Sequence, residues 1–334
     1  MHKKLHKILI TGGAGFIGSE FTRLLADLDY KIIVVDKLTY AGDVERLRVL
    51  KNKYKFYKLD ICGRGGINKI FKEERPDIVV HFAAQTHVDR SIKDATDFIE
   101  TNIKGTQNLL DAAKKYRIKK FIHISTDEVY GEIKRGKFSE DSHLQPGNPY
   151  AASKAAADLL IKSYIRTYDF PAIIIRPSNN YGPWQYPEKF IPVTIVKLLD
   201  KKQVPVYGKG TNRREWLYVA DCARGILKIM ESGKLGEVYN LGSGIEKMNL
   251  NVAKKIIKIL GSSESSIKFV ADRPGHDLRY YLDSTKINKL GWKPKTSFDK
   301  GINQTVFWYK ENSQWLEPKI EYLKRYWRGA YCKK

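Results

Sequence analysis

The chain has 334 residues, 42% hydrophobic and 12% aromatic, enough for a full core, which excludes intrinsic disorder and leaves one large α/β domain or two smaller ones. Lys and Arg number 60 against 37 Asp and Glu, a formal charge of +23 that fits nucleic acid, an acidic membrane surface or a polyanionic small substrate. The lysines are spread along the whole chain and no nucleic-acid module stands out, so the charge reads as a solvated surface with no nucleic-acid partner. No apolar run approaches the roughly 20 residues that span a bilayer, which argues against a membrane protein.

The start, "MHKKLHKILITGG", has the basic flavour of a signal peptide, but its apolar run stops at Ile8–Ile10 and leads into a glycine turn, so a first strand is expected. Cys62, Cys222 and Cys332 lie far apart, without CxxC or His at ligand spacing; this fits a reducing cytoplasm and argues against a metal site or a disulfide scaffold.

Strand-like runs follow in order: "KILIT" (7–11), "KIIVVD" (31–36), "KFYKLD" (55–60), "DIVVHFA" (77–83), "KKFIHIST" (119–126) and "PAIIIRP" (171–177). Helical patterns separate most of them, over 16–28, 96–116 and 149–167. Buried β-branched runs alternating with helices predict a parallel sheet covered on both faces, the doubly wound α/β (Rossmann-type) pattern, over residues 1–177. From 178 to 334 the rhythm changes to shorter elements between loops rich in Asn, Gly and Pro. No Gly/Ser linker divides the halves, so a smaller α+β substrate-binding region is expected to pack on the first, with some elements interleaved.

Directly after the first strand, "TGGAGFIG" satisfies G-x-G-x-x-G with Gly13, Gly15 and Gly18, and a shifted spacing with Gly12, Gly15 and Gly18. Such glycines make a tight turn and let backbone approach a pyrophosphate at a helix N-terminus. Position between strand and helix is the context that gives the motif weight. The second strand ends at Asp36, where a carboxylate suits ribose hydroxyls and repels a 2′-phosphate, favouring NAD over NADP; Lys37 beside it weakens that inference. Asp60-Ile61 and the small Ala83 and Ala84 of "FAAQT" end two further strands facing the same crevice.

"NPYAASK" opens a helix with Asn148 as cap, Pro149 at the first position, and Tyr150 four residues before Lys154. A nearby ammonium, like an oxidised nicotinamide, favours the phenolate and lowers the tyrosine pKa, giving a base for a sugar hydroxyl. Where the fifth strand should end stands "ISTDEVYG", with Asp127 and Glu128 adjacent after Ser125 and Thr126. A turn accounts for one carboxylate; the pair suggests a site.

These motifs resemble the extended short-chain dehydrogenase/reductases acting on nucleotide sugars, and within them the dTDP-glucose 4,6-dehydratase family. The resemblance covers nearly the whole chain through "TGGAGFIGS", "DKLTYAG", "HFAAQTHVDRSI", "STDEVYG", "NPYAASKAAAD", "RPSNNYGPWQYPEKFIP", "YGKGTNRREWLYV" and "DRPGHDLRYYLD". It implies a retained NAD held by Gly12, Gly15, Phe16, Ile17 and Gly18, by Asp36, Lys37 and Thr39, by Asp60, Ile61, Ala83 and Ala84, and by Tyr150 and Lys154. It implies that Tyr150 takes the C4 hydroxyl proton, Thr126 bonds the C4 oxygen, Glu128 removes the C5 proton and Asp127 protonates the departing C6 hydroxyl, while hydride leaves C4 and returns to C6. On the substrate side it implicates His87, Thr126, Asn179, Lys189, Arg214, Asn249, Arg273 and His276, and it implies a homodimer built on the helices over 96–116 and 149–167.

Three positions depart from the bacterial pattern: Gln85 for glutamate, Asp43 for asparagine, and "GSGIEKMN" for a "GGNNExxN" segment near the nucleoside, which leaves the base open. The competing enzymes are a UDP-glucose 4,6-dehydratase, a 4-epimerase and a UDP-glucuronate decarboxylase; the Asp-Glu pair speaks against the epimerase. A basic NAD-binding scaffold or RNA-binding regulator is the non-enzymatic alternative.

Overall fold

The apolar runs form the strands of one parallel sheet because their side chains alternate between two buried faces. Ile8 and Ile10 of β1 (Lys7–Thr11) enter one core and Leu9 the other; Ile32 and Val34 of β2 (Lys31–Asp36) part from Ile33 and Val35 in the same way. The computed structural model describes residues 6–28, 30–272 and 275–331. The sheet continues with β3 (Tyr54–Lys58), β4 (Ile78–His81), β5 (Lys120–Ile124) and β6 (Ala172–Pro177). Outside it lie β7 (Asn179–Tyr181), β8 (Val204–Tyr207) and β9 (Arg213–Tyr218); β10 (Val238–Leu241) returns to it. Its order is β10-β6-β5-β4-β1-β2-β3, every pair parallel. The order reverses between β1 and β4, and that switch point opens a crevice at the carboxyl ends of the strands.

Helices cover both faces. α1 (Phe16–Ala26) contributes Phe21 and Leu25 to one core, and α2 (Arg64–Glu74) gives Ile67 and Phe71 to the other. α3 (Val88–Lys93) and α4 (Thr96–Phe98) lead through a π-helical stretch, Ile99–Gly105, into α5 (Thr106–Lys115), which packs with α6 (Pro149–Tyr168) beside α2. A Cβ on Gly105 would sit 2.6 Å from Ile61 Cδ1, so glycine permits the close passage there. The wide turn also presents Asn102, whose side chain accepts from Gln85 N at 2.8 Å and donates to Gln85 O at 3.0 Å and Ser153 Oγ at 2.8 Å.

The remaining helices are α7 (Phe190–Leu199), α8 (Val219–Ser232), α9 (Asn249–Ile259), α10 (Thr285–Lys289), α11 (Phe298–Glu311) and α12 (Ser313–Tyr331). Ile191, Ile195, Val252, Ile256, Ile302, Val306 and Trp315 build a separate core with β8 and β9. Two small sheets accompany it: β7 and β9 with β11 (Glu246–Met248), and β8 with β12 (Ile267–Val270). α8 and β10 cross back to the main sheet, β10 pairing with β6 through Val238 to Leu241, so the two regions interleave.

Candidate active site

The glycine turn follows β1 as backbone passing very close to its neighbours. Gly12 has φ +69°, and a Cβ there would lie 2.5 Å from Ala83 N; one on Gly18 would lie 2.2 Å from Gly12 O. Any side chain at either position would displace backbone. Ala14 N donates to Asp36 Oδ2 at 3.0 Å and Leu38 N to Asp36 Oδ1 at 2.8 Å, so the carboxylate at the end of β2 braces the turn. Burial pushes the Asp36 pKa up, against the backbone donors and Arg46. Lys37 is held by Asp60, Nζ to Oδ2 at 2.7 Å, which neutralises the one cation beside Asp36 that sequence had set against NAD.

One cleft runs from this turn across the sheet edge. All of Gly12, Gly15, Phe16, Ile17, Gly18, Asp36, Lys37, Thr39, Asp60, Ile61, Ala83 and Ala84 line it, and so do Thr126, Asp127, Glu128, Tyr150, Lys154, Asn179 and Lys189. Ser125 Oγ, Ser178 Oγ, Asn179 Oδ1 and Gln185 Oε1, all on the cleft wall, are buried without a hydrogen-bond partner among the described residues. Buried polar atoms are normally paired, so this wall has the donors and acceptors expected to face a bound polar ligand, and the glycine turn leaves room for a pyrophosphate.

The adjacent carboxylates begin a 3₁₀ turn, Asp127–Tyr130, where β5 stops. Thr126 caps it, accepting from Glu128 N at 3.3 Å and donating its hydroxyl to Asp127 Oδ1 at 3.2 Å. Asp127 is 2% exposed, and burial, then Glu128 and Glu215, push its carboxyl well above the ordinary range; Arg214 and the Thr126 bond oppose. Burial also raises Glu128, but Lys189, Arg214 and a 3.4 Å donation from Asn148 Nδ2 counter it. Two neighbouring carboxyls thus differ in environment, the more deeply buried one better held in its protonated form.

α6 starts as its sequence dictates. Asn148 Oδ1 accepts from Ala151 N at 2.9 Å, Pro149 takes the first position, and Ser91 Oγ holds Tyr150 N at 3.1 Å. Thr126 hydrogen-bonds the Tyr150 phenol. Lys154 Nζ donates to Ile124 O at 2.8 Å and to His123 Nε2 at 3.3 Å, and burial lowers it to about 8. The expected lowering of the tyrosine pKa is not what the structure shows. Burial first, then Glu128 and Asp127, raise the phenol against the Thr126 hydrogen bond, while the ammonium is bonded to a backbone carbonyl and a histidine.

The substrate-side residues divide. Asn179 and Lys189 reach the cleft, Lys189 Nζ donating to Thr86 O at 2.7 Å. His87 caps α3 and lies 3.7 Å from Glu188 Oε2. Arg214 donates to the carbonyls of Arg213, Asp277 and Leu278 and lies over the Tyr280 ring at 4.5 Å, yet its charge still acts on both carboxyls. Asn249 opens α9 with a buried Oδ1 that has no partner among the described residues, and His276 Nδ1 is 2.6 Å from Asp272 Oδ1. Those four do not line the cleft; Arg273 falls outside the described residues. Sequence reasoning missed Arg46, Thr86, Ser178, Gln185 and Glu188 on the wall. Gln185 and Glu188 stand inside a quoted motif; Arg46 has no sequence signal.

The family model described as GDP-mannose 4,6 dehydratase matches residues 9–305. A dTDP-glucose 4,6-dehydratase of Streptomyces niveus is 47% identical over 321 residues, 93% of this chain and 95% of that protein. The chain belongs to the dTDP-glucose 4,6-dehydratase family. A crystal structure of another dTDP-glucose 4,6-dehydratase, DesIV from Streptomyces venezuelae, with NAD and dTDP bound, superposes with a TM-score of 0.92 at 45% identity, covering 94% of this chain and 99% of that one. The low-salt glycan biosynthesis protein Agl12 of Haloferax volcanii is 48% identical over 90% of this chain and 98% of its own.

Against this 4,6-dehydratase family the three departures have structural explanations. Gln85 is clamped through its backbone N–H and C=O by Asn102, which leaves its side chain the freer variable. The "GSGIEKMN" segment is held by buried Glu215, which accepts from Gly244 N at 2.6 Å and Leu282 N at 3.0 Å. Asp43 binds α12, as developed below.

The raised carboxyl carries a stability cost. Asp127 keeps its proton in the folded protein at pH values where the unfolded chain has lost it. Stability therefore falls as pH rises through the window that opens near 3.8 and extends up to the raised value. Asp127→Asn should raise the melting temperature at pH 7 by a few degrees and change little below about pH 4. A lower melting temperature at pH 7 would rule out desolvation as the dominant cause.

Proposed function

We propose that this chain is an NAD-retaining dTDP-glucose 4,6-dehydratase that makes dTDP-4-keto-6-deoxyglucose, and that residues 1–177 hold NAD while 178–334 hold most of the nucleotide sugar. The observation that carries the reading is the buried, unequal Asp127–Glu128 pair beside Thr126, Tyr150 and Lys154 on one cleft wall. A 4-epimerase needs the tyrosine but no such pair. Bound NAD would supply a reversible hydride acceptor and donor, for C4 and C6 of the sugar. Tyr150 removes the C4 hydroxyl proton as Thr126 bonds that oxygen. The C4 ketone acidifies C5; Glu128 then takes the C5 proton while Asp127 gives its own to the departing C6 hydroxyl, so one water leaves. C5 is finally reprotonated from Glu128 after its proton has exchanged with solvent.

Asp36, with Lys37 already paired to Asp60, supports NAD over NADP. Purified protein is expected to release NAD on denaturation and no NADP; NADP in the extract would refute the Asp36 reading. Lys189, Asn179 and Arg214 are read as donors toward the diphosphate and sugar, with His87, Asn249, Arg273 and His276 around the nucleoside side. A UDP-glucose 4,6-dehydratase is the second reading, favoured by the "GSGIEKMN" departure. A panel of dTDP-, UDP-, CDP- and GDP-glucose with mass detection tests both: loss of 18 Da from dTDP-glucose first is expected, and an isomer of unchanged mass would make the chain an epimerase.

A homodimer fits the apolar side chains left outward on the helices over 96–116 and 149–167, where Leu159 is 58% and Ile99 52% exposed. Sedimentation at micromolar concentration should show a dimer. Cytoplasmic residence fits the thiol pattern and the cytosolic supply of nucleotide sugars; among the described residues no helix is long and apolar enough to cross a membrane.

A further inference from the structure

The loop after β2 forms one wall of the cleft through Lys37, Thr39, Ala41, Gly42 and Arg46, beside Asp36. It is bonded directly to the glycine turn. Ala14 O accepts from Asp43 N at 3.0 Å and from Arg46 Nη1 at 2.8 Å, and the same Arg46 nitrogen donates to Ala41 O at 2.7 Å. Arg23 Nη1 donates to Arg46 O at 2.7 Å, Arg46 Nε to Trp184 O at 3.1 Å and Tyr40 OH to Glu188 Oε1 at 2.9 Å, and the side of the loop that carries Asp43 is held by α12.

Trp315 Nε1 donates to Asp43 Oδ2 at 2.8 Å, and Lys319 Nζ pairs with the same oxygen at 2.7 Å. The other oxygen, Oδ1, caps the following 3₁₀ turn by accepting from Glu45 N at 3.0 Å. The Trp315 ring has the Arg46 guanidinium at 5.5 Å and the Lys319 ammonium at 4.2 Å from its centre, and Tyr322 stacks on Tyr40 at 5.8 Å. Burial raises the Asp43 carboxyl, but Lys319, the turn and Trp315 together hold it below its ordinary value, so it is ionised at neutral pH. Asparagine at 43 has one acceptor oxygen, so it could cap the turn or face Trp315 and Lys319 but not both; the carboxylate that sets this chain apart from the bacterial pattern serves both sides and makes the junction ionic.

We propose that α12 is a latch on the cofactor: Trp315 and Lys319, acting through Asp43, position the Thr39–Arg46 loop against the glycine turn and so govern how fast NAD leaves. The inference rests on the NAD reading above. It makes the C-terminal helix part of cofactor retention although none of the described side chains of α12 lines the cleft wall. A latch that slows release by tightening NAD binding must, by linkage, itself be steadied by NAD.

The test uses the purified full chain with its NAD. Dilution into excess labelled NAD measures the release rate for wild type, Lys319→Met, Trp315→Phe (which keeps the ring and loses the donor) and Asp43→Asn. Lys319→Met and Trp315→Phe should each release NAD about tenfold faster, the loss of one hydrogen bond to a charged group, and Asp43→Asn, which loses the ion pair and one acceptor oxygen, should release it at least as fast as Lys319→Met. Lys319→Arg should restore slow release. Hydrogen exchange over 313–325 should slow when NAD is added to wild type and lose that response in Lys319→Met, which a merely packed helix would not do. Unchanged release from both Lys319→Met and Trp315→Phe, or exchange in α12 indifferent to NAD in wild type, overturns the latch alone. A wild-type protein that neither carries nor binds NAD overturns the cofactor reading and the latch with it.

Discussion

Glu128→Gln is expected to leave oxidation at C4 measurable and to slow the loss of water by about 10²–10⁴-fold, the usual worth of one positioned acid or base. The amide keeps the shape and still accepts from Asn148 Nδ2, so the 3₁₀ turn and the Thr126 cap stay in place. What it removes is the group able to take the C5 proton. Asp127→Asn should slow the same step to a similar degree, by removing the proton the leaving hydroxyl needs. Tyr150→Phe should instead abolish the first hydride transfer, because Lys154 is committed to Ile124 O and His123 and offers no base near C4. Single-turnover absorbance at 340 nm separates the classes: the carboxylate variants should accumulate reduced cofactor, the tyrosine variant none. With C4-deuterated substrate, wild type should deliver the label to C6 of the same molecule and acquire a solvent proton at C5. Full turnover by Glu128→Gln would leave the adjacent carboxylates without a chemical explanation.

Much of this was legible in the chain because short-range physics dictates it. Alternating apolar residues at 7–11 and 31–36 have to face two cores, and helices between them force parallel connections. Asn148-Pro149 specifies a helix start by capping and by fixed φ, so the phenol and ammonium of α6 were placed on one face before any coordinates. The glycine turn was readable for the same reason: its spacing answers to backbone approach that tolerates no Cβ.

The rest depended on contacts distant in sequence. β10 belongs beside β6 because Val238 to Leu241 complete the edge of the main sheet, yet four residues, Val-Tyr-Asn-Leu, give no address. The partner of Lys37 is 23 positions away at Asp60, and without it the cation looked like a site for an extra phosphate. Spacing puts Lys154 on the right face but reveals neither the burial that raises the Tyr150 phenol nor His123 and Ile124 O taking up the ammonium's protons. His81 shows what only packing reveals. Thr106 Oγ1 donates to Asn102 O at 2.6 Å and so accepts from His81 Nε2 at 3.0 Å, leaving Nδ1 to accept from Thr11 Oγ1 at 2.7 Å. Burial and Lys154 hold this histidine neutral, a structural strut between β1, β4 and α5 with no part in the chemistry.

Asp158→Asn should cost about 3–5 kcal/mol of stability and also move the alkaline limit of activity to lower pH. Asp158 Oδ2 accepts from Arg176 Nε at 2.9 Å, and both side chains are 0% exposed. Tyr130 OH, 2.7 Å from Arg176 Nη1, donates in turn to Asn240 Oδ1 at 2.7 Å, so the network ties α6, β6, the catalytic turn and β10 together. Removing the carboxylate leaves a guanidinium buried with a neutral partner, the costly half of a broken ion pair. The same carboxylate is the anion that supports protonated Lys154 against desolvation, at about 8. Without it the lysine loses its proton at lower pH, and any step that needs the ammonium fails there sooner. The double variant Asp158→Leu with Arg176→Met separates the two effects. Apolar replacement of the whole pair should recover much of the melting temperature, since no uncompensated charge remains. The pH limit should stay displaced, because Lys154 still lacks its anion. Recovery of both together would show that Asp158 acts on the chemistry only through the stability of the fold.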